Sequence, residues 1–203
     1  MLTRYRALAL AISIVLSAGA ARDAVAREGV QAGPATEQLR ARVERVIALL
    51  DDRELKARPA ARRAALRTAA TDIFDFAEIT RRSLGRHWQA TSPSEREDLV
   101  ALMTALLERS YLSRIEQYSG ERIVFAGETA EGDLATVRTR LVTKGGVETP
   151  IDYRLYKVGD RWMVYDVSVE GVSLVANYRS QFNKIIQTSS AHGLVERLRA
   201  RQE

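Results

Sequence analysis

The spacing of apolar residues changes once along this chain, and the change divides the fold. From Thr36 onward, Leu39, Val43, Val46, Ile47 and Leu50 recur at helical spacing and predict a helix of about four turns. Pro59 suits the first position of a second helix, running through Leu66 towards Ala70. Asp75-Phe76-Ala77-Glu78 reads as a capping box, with Asp75 accepting the third helical N–H and Glu78 reaching back to the cap. That helix carries Ile79 and Leu84, and Gly85 stands where a left-handed stop is wanted. Ser92-Pro93-Ser94-Glu95 repeats the logic and opens the longest helix. Its stripe is Leu99, Leu102, Met103, Leu106, Leu107, Tyr111, Ile115 and Tyr118, ending at Ser119-Gly120.

After Gly120 the period falls to two. Ile123-Val124-Phe125 predicts a short strand, and Leu134 to Thr143 alternates, with Ala135, Val137 and Leu141 opposite Thr136, Arg138 and Arg140. Gly145-Gly146 predicts a hairpin turn into Val147 to Val158, where Ile151, Tyr153 and Leu155 share a face. Gly159-Asp160 turns again into Trp162 to Val169, with Met163, Tyr165, Val167 and Val169 predicted on one face. Beyond Gly171 a helix follows, with Val172, Val175, Tyr178 and Phe182 inward and Leu174, Ile185 and Ile186 beside them; His192 to Arg199 forms a short end helix. Short connections make the strands antiparallel neighbours. The class is therefore α+β: an N-terminal helical layer on a twisted antiparallel sheet of about four strands, then C-terminal helices.

Composition narrows the chemistry. The chain has 203 residues, 46% hydrophobic and 28% charged, which fits one folded domain and excludes wholesale disorder. Met1 to Ala26 has the form of an export signal: Arg4 and Arg6, an apolar run from Ala7 to about Ala21, then two small-residue cleavage sites, Ala18-Gly19-Ala20 and Ala24-Val25-Ala26. The apolar run, about 15 residues, is shorter than the roughly 20 that span a bilayer. The expected organisation is a signal over 1–26, a loose leader over 27–35 and one domain over 36–203, in the periplasm. The net charge of +5 does not imply nucleic acid, because the arginines alternate with acids, as in Arg40, Arg42, Glu44 and Arg45.

With no cysteine there is no disulfide, thiolate metal site or thiol nucleophile, and His87 and His192 are too far apart in sequence for a helical metal pair. No nucleophile elbow, phosphate-binding glycine loop or H-E-x-x-H is present. His87 is a catalytic base or a solvated cap. Asp166, amid apolar residues, is a raised-pKa base, an arginine's partner, or an outward-facing acid. Tyr165 and Asp166 are adjacent on a strand, point to opposite faces and cannot share a substrate. Neither an enzyme nor a metal is expected.

The stretch W-M-V-Y-D-V-S-V-E-G-V-S-L-V-A-N-Y-R-S-Q-F, Trp162 to Phe182, resembles the MlaC family of periplasmic phospholipid-binding proteins, also called the toluene-tolerance auxiliary family. The resemblance lies in W-x-V-Y-D-V, E-G-V-S and N-Y-R-x-x-F, with support from Phe74-Asp75-Phe76, Leu84-Gly85 before Trp88, Tyr111 and Tyr118; it covers about Thr36 to Arg199. It implies a cone-shaped fold similar to nuclear-transport-factor-like domains. It also implies a monomeric soluble carrier of glycerophospholipid that maintains outer-membrane lipid asymmetry. The partners implied are the MCE-domain subunit of an inner-membrane ABC transporter and an outer-membrane lipoprotein–porin complex. A hopanoid-associated sub-branch shares the motifs, and a non-lipid adaptor with a filled core stays open beside it.

On that implication, acyl chains lie between helices and sheet, with the headgroup outside and no cofactor beyond the cargo. Each chain of about 15 methylenes costs on the order of 12 kcal/mol to expose to water, so a carrier must enclose it. The candidate lipid contacts are Leu99, Leu102, Met103 and Leu106; Met163, Tyr165 and Val167; and Val175, Tyr178 and Phe182. Each taken alone also suits an ordinary core. Arg179 is the candidate headgroup partner, or else, with Asn177, ties the last strand to the helix.

Overall fold

The computed structural model describes residues 32–201, so the expected export signal and most of the expected leader lie outside the described residues. Helix α1, Pro34–Asp51, begins two residues before Thr36. Its cap residue, Gly33, supplies no side-chain acceptor. The acceptor comes instead from the sheet: the Glu128 carboxylate takes the Thr36 N–H at 2.7 Å. A Cβ at Gly33 would lie 2.3 Å from that carboxylate, so only glycine allows the approach. The predicted leader therefore ends too late; Pro34 and Ala35 are helical, and Ala35 is fully buried.

A single helical turn, Arg53–Lys56, leads to α2, Pro59–Ile73, and Phe74 then makes a parallel bridge to Val164. Helix α3, Phe76–Leu84, is capped by Asp75, which accepts the Glu78 N–H. The other half of the predicted box is absent: Glu78 pairs with Arg81 and Arg82. Gly85 stops the helix at φ +55°, and a 3-10 segment, Gly85–Ala90, follows. The full capping box at Ser92 opens α4, Pro93–Glu116, which ends before Tyr118.

The sheet is an antiparallel meander in the order β1-β2-β3-β4-β5. Its strands are β1 Arg122–Glu131, β2 Leu134–Val142, β3 Glu148–Val158, β4 Arg161–Val169 and the short β5 Val172–Ser173. The predicted three-residue first strand is the start of a longer one that continues through a bulge between Phe125 and Gly127. Val172 pairs with Val169 and is exposed, so it belongs to the sheet edge and not to the helix stripe. Helices α5, Leu174–Thr188, and α6, Ala191–Arg199, complete the chain.

A second bulge changes which residues share a face. On β4, Val164 pairs with Leu155 and Asp166 with Arg154, leaving Tyr165 as the extra residue. Trp162 and Val164 before it therefore join Val167 and Val169 after it on one face, called here the inner face. Met163 sits on the opposite face with its partner Tyr156. The prediction that Met163, Tyr165, Val167 and Val169 share a face fails, because a strict period of two does not survive a bulge.

Two cores result. The helical core holds Leu99, Leu102, Met103, Val175, Tyr178, Phe182 and Leu194. The sheet core holds Leu39 and Ile73 against Val137, Leu155, Trp162 and Val164. Phe74 packs against both, which is where the Phe74-Asp75-Phe76 motif acts. Among the described residues no helix is long and apolar enough to cross a membrane.

Candidate functional site

The polar residues that drew notice in the sequence hold the fold together. Asp166 is buried and accepts from Arg154 Nη1 at 3.0 Å, Ser173 Oγ at 2.6 Å and the Val175 N–H at 3.0 Å. Both oxygens are occupied in joining the last long strand to the first turn of α5. The turn between them uses Glu170 at φ +51° and Gly171 at φ +80°, the conformation a two-residue hairpin turn needs. W-x-V-Y-D-V and E-G-V-S are thus two halves of one joint. His87 Nε2 donates to Asn183 Oδ1 at 2.8 Å, and Arg86 shares that oxygen. Arg179 is exposed and its Nε donates to the Arg82 carbonyl at 2.9 Å. It ties α5 to the end of α3, and not to the last strand.

The ten apolar candidates fall into three places. Leu99, Leu102, Met103, Val175, Tyr178 and Phe182 pack against one another in the helical core, with Leu106 beside them. Leu99 and Met103 have no exposed surface at all. Met163 and Tyr165 lie apart from both cores; the Tyr165 ring meets Tyr156 edge-on at 6.0 Å and carries the Arg82 guanidinium 3.8 Å from its centroid. Val167 alone among the ten is on the inner sheet face, half-buried beside the sheet core.

That face supplies what the helical core lacks. The pairings carry one apolar strip across four strands: Ile123 and Phe125 on β1, Leu141 on β2, Ile151 and Tyr153 on β3, Val167 and Val169 on β4. All seven are half-buried, so each keeps apolar surface that no neighbour fills. On the same face the Thr139 hydroxyl donates to the Ile151 carbonyl at 2.9 Å and offers no free proton. Tyr153 is deep enough that burial alone pushes its phenol up to about 12, yet its side chain is not fully covered. The Arg40 guanidinium lies 4.2 Å from the Phe125 ring centroid at the strip's edge. The sequence placed Leu141, Ile151 and Tyr153 on faces correctly. It did not mark them as a site, because alternation alone does not say which face a helix leaves open.

Two open grooves lie elsewhere, about 630 Å³ between α1 and α2 and about 450 Å³ beside Trp88, and none of the ten candidates lines either. Among the described residues no group of three or more His, Cys, Asp or Glu could hold a metal.

An α+β domain with an antiparallel meander, a separate helical core and an apolar, incompletely covered inner face is the class defined so far. The chain belongs to the family described as MlaC protein, which it matches over residues 40–200. It is 24% identical over 120 residues to the intermembrane phospholipid transport system binding protein MlaC of Haemophilus influenzae, over 57% of this chain and 56% of that one. The match thus spans little more than half of that curated relative's length. A solved structure of a phospholipid-binding protein from Ralstonia solanacearum, in complex with a phospholipid, shares the fold at a TM-score of 0.74. It is 24% identical, over 82% of this chain and 96% of that one.

Proposed function

We propose that this protein is a periplasmic carrier of glycerophospholipid that holds acyl chains against the inner sheet face. The observation that carries the reading is the strip from Ile123 to Val169, apolar on all four strands and half-buried throughout. Family membership and a fold shared with a phospholipid complex support it. The physical requirement is the one stated above: on the order of 12 kcal/mol per acyl chain must be offset by apolar contact. A continuous strip meets it better than a core already filled by its own side chains. On this reading the candidate residues of the helical core act as a rigid wall behind the site, and Val167 is a direct contact.

The same reading gives residues 1–26 to a cleaved export signal and the remainder, after a short leader, to one lipid-binding domain. The carrier then works as a monomer between an inner-membrane ABC transporter with an MCE-domain subunit and an outer-membrane lipoprotein–porin complex. It binds and releases without turnover, cofactor or metal. Arg179 is tied to Arg82, whose guanidinium covers Tyr165 away from the strip, so this reading leaves the headgroup in solvent and not on Arg179.

Native mass spectrometry and an organic extract of the purified mature protein test this. One phospholipid per chain is expected. A hopanoid in the extract reassigns the cargo, and an empty chain that still binds an inner-membrane partner makes the protein an adaptor and ends the carrier reading. Transfer of labelled phospholipid between two vesicle populations tests shuttling separately from binding.

A further inference from the structure

Helices α2 and α4 belong to different parts of the molecule. The backbone of α2 packs against α1 and β4, and that of α4 against α3 and α6. Between them run two long side-chain bridges. Arg63 grips Glu116 with both ends of its guanidinium, Nε to Oε1 at 2.9 Å and Nη2 to Oε2 at 3.2 Å. One turn further along α2, Arg67 Nε meets Glu108 Oε2 at 2.9 Å.

The face of α4 between the two glutamates is apolar. Glu108, Leu112, Ile115 and Glu116 follow one another at helical spacing on that face. Leu112 is only half-buried and Ile115 keeps 42% of its surface. The seam is spanned by ion pairs beside apolar side chains that stay partly exposed. Chain order leads from it to the strip. Helix α4 stops at Glu116, and within a few residues the chain enters β1, where Ile123 pairs with Leu141 at the far end of the inner face. Helix α2 ends at Ile73 in the sheet core beneath the same face.

We infer that the α2–α4 seam is the portal through which acyl chains reach the inner face, and that Arg63–Glu116 and Arg67–Glu108 are its latch. The inference rests on the carrier reading and adds to it a place and a mechanism of exchange. A latch of this kind suits repeated opening. Ion pairs with exposed arginines are weak and screened by salt, whereas an interlocked apolar seam would open only by unpacking. The arginines here are 56% and 54% exposed and their glutamates 16% and 27%, so solvent and salt reach each pair from the arginine side.

The chain has no cysteine, so a crosslink across the seam is unambiguous. The variant carries Arg63→Cys and Glu116→Cys joined by a reducible thiol-reactive linker. Transfer is read as dequenching of fluorescent phosphatidylethanolamine leaving phosphatidylethanolamine vesicles for the protein. The linked form should be slowed roughly tenfold, as for a lid that must open, and reduction should restore the rate. That recovery also shows that the variant is folded. Without any crosslink, Glu108→Gln with Glu116→Gln should speed transfer about two- to fivefold per pair and remove its dependence on salt. The charge exchange Arg63→Glu with Glu116→Arg should return the rate towards wild type. Linked protein that transfers at the wild-type rate, or neutralised protein with an unchanged rate and salt dependence, overturns the portal alone. Wild-type protein that takes up no lipid overturns the carrier reading, and the portal with it.

Discussion

The helical core and the inner sheet face are built from similar side chains, yet one is closed and the other is not. In the helical core, Leu99 and Met103 from α4 cluster with Val175, Tyr178 and Phe182 from α5; the Tyr178 and Phe182 rings lie 5.6 Å apart, tilted by 45°. Helices can bring ridges into grooves along their whole length and leave little unfilled. On the inner face, α1 crosses near Val137, Leu155 and Val164 and fills only that level. The residues beyond it on the same strands, Ile151, Leu141 and Val169, keep exposed surface. A single helix is about 10 Å wide and cannot cover a five-stranded sheet. The contrast teaches that residue type does not mark a binding site; the number of elements laid over a face does.

The largest expected effect breaks the closed side of the comparison. Leu99→Ala, at a position with no exposed surface, should cost about 2–5 kcal/mol in denaturant unfolding. Met103→Trp should overpack the same core, costing about 1–3 kcal/mol or more. In both, lipid bound per folded molecule should stay at the wild-type level. A selective loss of lipid with normal stability would move the site into the helical core.

Asp166→Ala comes next. It strips the acceptor from Arg154, Ser173 and the Val175 N–H at the joint between the two regions. Leaving the buried N–H unpaired costs about 1–3 kcal/mol. The Arg154 pair adds little, because that side chain is 47% exposed. Thermal unfolding should show the loss. An unaltered melting temperature would mean that the joint is held by packing.

Glu128→Ala should cost about 1 kcal/mol, the usual worth of a helix cap, by freeing the start of α1 from β1. Amide exchange at Thr36 is the local readout. Protection that survives the substitution would show that Glu128 is not the acceptor that matters.

How much of this was legible depends on the range of each interaction. The Ser92–Glu95 box spans three residues and was read correctly from them. The Glu128 cap reaches across 92 residues and left in the sequence only an unexplained Gly33. The helical stripes are legible except at Val172, which lies on the sheet edge, and Tyr118, which lies past its helix, but a stripe does not name its partner. Leu99 to Leu107 were expected opposite the sheet and instead face other helices. The bulge at Tyr165 carries no local signature, and it alone separates Met163 from Val167. The W-x-V-Y-D-V motif is therefore legible as a string, while its geometry is not.

The smallest expected change in stability is also the sharpest test of the comparison. Val167→Trp adds a large side chain on the inner face, where the native valine is half-buried and its neighbours Ile151, Tyr153 and Val169 still have surface to offer. Filling unoccupied apolar space gains contacts and forces no rotamer, so unfolding should shift by less than about 1 kcal/mol, of either sign. Bound lipid should nevertheless fall, because the indole occupies the volume an acyl chain needs. Met103→Trp makes the same chemical addition on the closed side and should do the reverse, losing stability while keeping lipid. If Val167→Trp unfolds the protein as Met103→Trp does, the two regions are equally full and the inner face holds no cargo.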